Sequence, residues 1–146
     1  MKKDEVLAKI KAEKVIALIR ADSSDGLLDC ARALAAGGLT SIELTMTTPG
    51  AIGMIRLACR ELPDFIFGLG TVLDAKTARE GIEAGAKFIV TPGFRPEVIQ
   101  HCRSVGVPVF SGALTPTEII NTWDAGADAV KIFPAEFFGP AHIKSI

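Results

Sequence analysis

Lys131 interrupts the apolar run Ala129–Phe133, where a charged ammonium is costly to place without a partner. Desolvation lowers a lysine's proton affinity and yields the neutral amine that attacks a carbonyl carbon. The plainer alternative is a lysine that snorkels at a strand end or pairs with a carboxylate, and patterning leaves both open. Glu43 is set in the same way, flanked by Ile42 and Leu44 on the opposite face of a short run. A carboxylate beside an imine-forming lysine can move protons at carbon and oxygen, as aldol chemistry needs. Equally, a buried arginine or backbone amides could hold it. Arg20 ends a third run, Val-Ile-Ala-Leu-Ile, and its fork suits either a substrate carboxylate or a salt bridge to Glu43. Thr71, in Gly-Leu-Gly-Thr-Val (68–72), can present a hydroxyl at a strand end, while Gly68 and Gly70 also suit a simple tight turn.

Other reactive types carry less. Cys30, Cys59 and Cys102 are far apart, without Cys-x-x-Cys or zinc spacing, and read as reduced structural thiols of a cytoplasmic protein. His101 and His142 read as surface residues, and Trp123 with Ile119 and Ile120 as helix-to-sheet packing. No metal or cofactor is expected.

The elements that would position these groups follow from one repeated rhythm: a helical pattern, a glycine, then a short apolar run. It is visible in Ala-Gly-Gly-Leu-Thr-Ser-Ile-Glu-Leu (36–44), Ala-Gly-Ala-Lys-Phe-Ile-Val (84–90) and Ala-Gly-Ala-Asp-Ala-Val-Lys-Ile-Phe (125–133), and in shorter form in Val-Gly-Val-Pro-Val-Phe (105–110). Each glycine falls where a helix should end in the left-handed conformation. The apolar runs are Val15–Ile19, Ser41–Thr45, Phe65–Leu69, Phe88–Thr91, Val107–Phe110 and Ala129–Phe133. They start roughly 20 to 25 residues apart, room for one helix between parallel neighbours. Thr115-Pro-Thr-Glu118 supplies a capping box with a first-turn proline, and Asp74, and Ser23 or Asp25, can start the helices 75–84 and 26–36.

The pattern predicts six consecutive βα units in one domain over 1–146, the last with an unfinished helix. Alternation favours a (β/α)8 TIM barrel over an open sheet: Ile42 and Leu44 face one way and Ser41, Glu43 and Thr45 the other, and Val130 and Ile132 oppose Ala129, Lys131 and Phe133. The loop after the first run, Arg20-Ala-Asp-Ser-Ser-Asp, lacks the glycine signature of a nucleotide-binding open sheet. Strands seven and eight are absent, so closure would need further residues of the natural protein or another chain. The 146 residues carry 49% hydrophobic and 23% charged residues, ordinary globular composition. A net charge of -1 argues against nucleic acid or an anionic membrane as partner, and Met-Lys-Lys-Asp-Glu at the start is not a secretory signal.

Five stretches, in register with that rhythm, together resemble the 2-keto-3-deoxy-6-phosphogluconate aldolase family, which also contains phosphogalactonate-cleaving and 4-hydroxy-2-oxoglutarate aldolases. They are Ile-Ala-Leu-Ile-Arg (16–20), Ile-Glu-Leu-Thr (42–45), Gly-Leu-Gly-Thr-Val-Leu (68–73), Val-Thr-Pro-Gly (90–93) and Lys-Ile-Phe-Pro-Ala (131–135). The resemblance implies a metal-free class I aldolase. Lys131 forms the imine and Glu43 serves as general acid/base. Arg20 and Thr71 surround the pyruvyl carboxylate, and Pro92 and Phe133 line the pocket. Pyruvate and an aldehyde would be released, glyceraldehyde 3-phosphate for a phosphorylated sugar acid. Met46-Thr47-Thr48-Pro49 stands where the phosphogluconate branch carries an arginine, which looks more like the phosphogalactonate branch or a relative of it. The family's phosphate loops follow strands seven and eight, and it is typically a homotrimer. The rival readings are a 4-hydroxy-2-oxoglutarate aldolase or keto-acid decarboxylase on the same lysine, an inactive truncated barrel, and an open-sheet small-molecule binder.

Overall fold

The glycine-ended repeat folds into alternating helices and strands, seen in a computed structural model that describes residues 1–23, 25–136 and 138–146. The order is α1 (Lys3–Glu13), β1 (Ala17–Ile19), α2 (Leu27–Ala36), β2 (Ser41–Thr45), α3 (Ala51–Glu61), β3 (Ile66–Gly70), α4 (Ala75–Ala84), β4 (Phe88–Val90), α5 (Pro96–Ser104), β5 (Val109–Ala113), α6 (Pro116–Asp124), β6 (Ala129–Ile132) and α7 (Gly139–Ser145). Local chemistry explains several boundaries. Asp74 accepts a 2.7 Å hydrogen bond from Thr77 N to open α4, which Gly85 closes at φ 115°. Thr115 and Glu118 form the capping box of α6, with Pro116 in its first turn. At α2 the expectation fails: Gly26 occupies the cap and no side chain bonds it, while Ser23 instead accepts from Asp25 N.

The six strands form one parallel sheet in the order β1-β2-β3-β4-β5-β6. It curls into part of a barrel, an α/β arrangement of six βα units. Register is set by the alternation along each strand. Ile42 and Leu44 pack outward with Ile55, Phe67, Leu69, Ile89, Val98, Ile99 and Val109, the layer between sheet and helices. Fully burying such a side chain contributes about 1.5–3 kcal/mol each, so this outer layer is the main stabilising core. The opposite, inner face gathers Ile66, Phe88, Val90 and Phe110, with Phe88 and Phe110 stacked 5.4 Å apart.

The inner face is covered from one side by α1, a helix the hydrophobic rhythm did not announce. Val6, 2% exposed, enters the inner cluster with Leu7 and Ile10 beside it. Three polar ties hold α1 there: Lys3 pairs with Asp128 at 2.7 Å, Lys9 Nζ donates to the Asp64 carbonyl at 2.6 Å, and Glu13 accepts from Thr40 Oγ1 at 2.6 Å and Ser41 N at 2.9 Å. β1 and β6 each have a strand neighbour on one side. Leu18 is 47% exposed on β1, and Phe133 equally so beyond β6, which leaves an apolar gap between the two edges.

Two readings of the sequence are corrected. Trp123 and Ile120 do not pack on the sheet but stand 62% and 58% exposed, because α6 turns Thr122 inward instead. β5 runs to Ala113 rather than ending at Phe110, since Ser111 and Gly112 continue the ladder although they end the apolar run. Cys102 is buried, Cys59 half-buried and Cys30 exposed, all as free thiols.

Candidate active site

Alternation on β2 and β6 decides which charged groups meet. Ser41, Glu43 and Thr45 occupy the face of β2 opposite Ile42 and Leu44, and Lys131 shares its face of β6 with Ala129, which packs against the inner cluster. Glu43 and Lys131 therefore line one cavity of about 350 Å³, together with Ile16, Val90, Phe110 and, from α1, Ile10. The lining is mainly apolar, with Lys11 and Asp128 as its other charged residues.

Glu43 is 5% exposed, and its Oε1 is buried without a hydrogen-bond partner. Burial pushes its carboxyl above the usual 4.5, with the charges of Lys131 and then Arg20 pulling the other way. Among the described residues neither cation comes within 4.0 Å of the carboxylate, since the ion pairs formed are Lys3–Asp128, Arg32–Asp29, Arg60–Glu61 and Lys76–Glu80. The reading of Arg20 as a salt-bridge partner of Glu43 is thus set aside. Instead, a carboxyl inclined to keep its proton faces an amine across open space.

Lys131 is half-buried and pairs in register with Gly112 of β5. Its Nζ stands 5.2 Å from the centroid of the Phe133 ring, within cation–π range. Arg20 follows β1 and is exposed, close to the loop after β2, where Ala21 N donates to Thr48 Oγ1 at 3.1 Å. Pro92 is half-buried in the loop after β4. That loop crosses directly over Gly112, where an added methyl would come 2.5 Å from Gly93 N and closer still to Pro92. Thr91 pins the crossing, donating to Gly93 O at 2.7 Å and accepting from Gly112 N at 3.3 Å. Thr71 is half-buried in the bend after β3. All six residues singled out in the sequence thus lie on or just beyond the strands β1, β2, β3, β4 and β6, with Glu43 and Lys131 sharing a cavity.

The sequence left the Gly-x-Gly of 68–70 open between a strand end and a tight turn. Both glycines lie within β3, and the space a side chain would take is filled by the Phe88 ring at Gly68 and by Glu43 at Gly70. Sequence reasoning passed over the buried hydroxyls of Thr45 and Thr91 at the ends of β2 and β4, of Thr48 in the loop after β2 and of Ser111 within β5. His142 is more than a surface residue: its Nε2 is 3.1 Å from the Leu114 carbonyl, tying α7 to the end of β5. Among the described residues no three His, Cys, Asp or Glu side chains cluster as a metal site, and no helix is long and apolar enough to cross a membrane.

This arrangement has close counterparts. A 2-dehydro-3-deoxy-phosphogluconate aldolase of Treponema pallidum is 38% identical over 141 residues, which is 97% of this chain and 66% of that protein. The crystal structure of the 2-keto-3-deoxy-6-phosphogluconate aldolase of Zymomonas mobilis with 3-phosphoglycerate matches at TM-score 0.88 and 30% identity, over 98% of this chain and 68% of that one. The KDPG aldolase of Legionella pneumophila, with pyruvate captured at low pH as a covalent carbinolamine intermediate, matches at TM-score 0.79 and 30% identity, over 89% of this chain and 64% of that one. The chain spans 60% to 66% of the length of three such curated relatives. With the family model for KDPG and KHG aldolase matching residues 6–146, and the lysine and glutamate of the resemblance lining one cavity, the chain belongs to that aldolase family.

Proposed function

We propose that this protein is a class I aldolase that cleaves a 2-keto-3-deoxy-6-phospho sugar acid to pyruvate and glyceraldehyde 3-phosphate through an imine on Lys131. The observation that carries the reading is the buried, unpartnered Glu43 carboxyl, inclined to hold a proton and sharing an apolar cavity with Lys131. In the proposed reaction the neutral Lys131 amine adds to the C2 ketone, and the carbinolamine hydroxyl leaves as water with a proton from solvent, giving an iminium. The positive charge of that iminium in the cavity then favours the Glu43 carboxylate, whose proton returns to solvent. The C3–C4 bonding electrons flow toward the iminium nitrogen while Glu43, as the carboxylate, takes the C4 hydroxyl proton and the aldehyde departs. The resulting enamine takes that proton at C3 from Glu43, and water releases pyruvate and the amine. As the family resemblance implies, Arg20 and Thr71 hold the pyruvyl carboxylate and Pro92 and Phe133 flank the bound substrate, beyond the residues that line the Glu43–Lys131 cavity. No metal or organic cofactor takes part.

The proposal extends to architecture: a complete (β/α)8 barrel, with two further βα units filling the gap between β1 and β6, working as a cytoplasmic homotrimer. The greater length of the relatives supports the first point. A 4-hydroxy-2-oxoglutarate substrate on the same lysine is the second reading, while Met46-Thr47-Thr48-Pro49 in the loop after β2 bears on which sugar acid is cleaved and is more like the phosphogalactonate branch. Comparing turnover of phosphorylated and unphosphorylated substrates separates the two.

Borohydride trapping with pyruvate, read by intact and peptide mass spectrometry, tests the mechanism on this chain and on a form extended to eight units. A pyruvyl adduct on Lys131, lost in Lys131→Ala with an unchanged circular dichroism spectrum, is the expected result. Trapping that survives in Lys131→Ala would show that another residue forms the imine. No adduct on the extended form would remove the imine mechanism altogether.

A further inference from the structure

Buried carboxylates are ordinarily fixed by hydrogen bonds or a partner charge. Glu43 has neither among the described residues: Oε1 is unpartnered, and no cation lies within ion-pair distance. Among the described protein groups, what holds its side chain in place is the shape of the neighbouring strand. Glu43 pairs in register with Gly68, and Gly70 lies two positions further along β3, opposite Thr45. A methyl group built on Gly70 would stand 2.7 Å from Glu43 Cδ and 3.1 Å from Cγ, and would overlap Oε1 outright. The side chain thus leaves β2 and lies diagonally across onto β3. The neighbouring hollow at Gly68 is already filled by the ring of Phe88, itself fully buried and stacked on Phe110. Two glycines one residue apart on the same strand therefore do different things: one admits an aromatic floor, the other admits the carboxyl above it.

We infer that Gly70 is a positioning residue for Glu43, its missing side chain being the seat in which the carboxyl lies. The consequence for chemistry rests on the proposed role of Glu43 as proton carrier at the pyruvyl carbon. Displaced from β3, the carboxyl would meet the enamine at the wrong distance, while Lys131, on the far side of the cavity, would still form its imine. The effect of a side chain at position 70 should therefore fall on proton transfer and spare imine formation.

Two measurements on the full-length protein test this. The first is a thermal-stability cycle that does not depend on any activity. Gly70→Ala is expected to lower the melting temperature by about 4 °C or more in the Glu43 background, from overpacking. In the Glu43→Ala background, where nothing remains to overlap, it should change little. Gly53→Ala, on α3 with no atom within 4 Å of the added carbon, is the control. Equal losses in both backgrounds would overturn the inference. If Gly70→Ala alone fails to fold, a folded Gly70→Ala/Glu43→Ala double variant supports the seat and an unfolded one overturns it.

The second measurement is deuterium exchange at the pyruvate methyl group, followed by proton magnetic resonance across pH. Gly70→Ala should slow exchange roughly 10²-fold, the scale of an ångström-sized misplacement, with a shifted pH profile and undiminished trapping on Lys131. An unchanged rate and profile in Gly70→Ala would overturn the positioning role. Absence of trapping in the unsubstituted protein would instead sink the imine reading, and the stability cycle would still decide the seat.

Discussion

Replacing Glu43 by Gln is expected to stabilise the protein increasingly as pH rises, measured against the unsubstituted chain. The sign follows from burial. The Glu43 carboxyl is held above its usual 4.5 in the folded state, Lys131 and Arg20 only partly opposing the cost of burying its charge. Below that usual value it is protonated whether folded or unfolded, so its ionisation contributes nothing. Above it the unfolded chain releases the proton while the folded chain keeps it, and folding becomes less favourable with each increment of pH. The penalty stops growing once pH passes the folded value. Within that window the slope has the sign of one retained proton and cannot exceed about 1.4 kcal/mol per pH unit. Glutamine has nearly the same shape and no ionisation, so any constant offset from its amide does not vary with pH. The assay is urea unfolding of both proteins between about pH 4 and pH 8, with the difference in unfolding free energy plotted against pH. Groups common to both proteins cancel in that difference. It should rise above about pH 4.5 and then level off. A flat difference would mean that the carboxyl titrates alike in both states and a falling one that it is held ionised, and either would make the account of a proton-retaining Glu43 wrong. Lys131→Met should widen the window upward, since it removes the larger of the two opposing charges.

Other outcomes follow from packing and burial. Ile55, fully buried between α3 and the sheet, should lose about 2–5 kcal/mol on truncation to alanine, read from urea unfolding. Thr115→Ala removes the side-chain cap of α6 and should cost about 1 kcal/mol in the same experiment. Burial and the nearby charge of Asp128 push the Cys102 thiol up to about 12, so alkylation at mildly alkaline pH should label the exposed Cys30 and leave Cys102 unmodified, as peptide mass spectrometry can show. Equal labelling of the two in the folded protein would contradict the burial of Cys102.

Much of this molecule was legible from neighbouring residues alone. Helix boundaries at Asp74, Thr115 and Gly85 came from capping chemistry, which acts within one turn. The two-residue alternation in Ser41–Thr45 and Ala129–Phe133 put Glu43 and Lys131 on one side of their strands, and both line the inner cavity. Arg20 and Thr71 were singled out by residue type and strand-end position, and Pro92 and Phe133 by the motif resemblance; all four lie on or just beyond strand ends.

Other features depended on groups distant in sequence. Spacing leaves the glycine pair at 68–70 open between a tight turn and a strand end, and the choice rests on Phe88 and Glu43 filling the space beside it. Trp123 and Ile120 are apolar, yet face outward, because Thr122 is the residue that α6 turns inward. The short apolar stripe of Val6, Leu7 and Ile10 gave no hint that α1 covers the inner face, since that depends on Ile66, Phe88 and Phe110 arriving from three other strands. The sequence by itself determined the rhythm of helix and strand and the face on which each reactive side chain emerges, because both are properties of a residue and its neighbours. Only the tertiary structure decided that Glu43 is buried without a partner and seated on Gly70, because burial and steric room belong to strands brought together across the sheet.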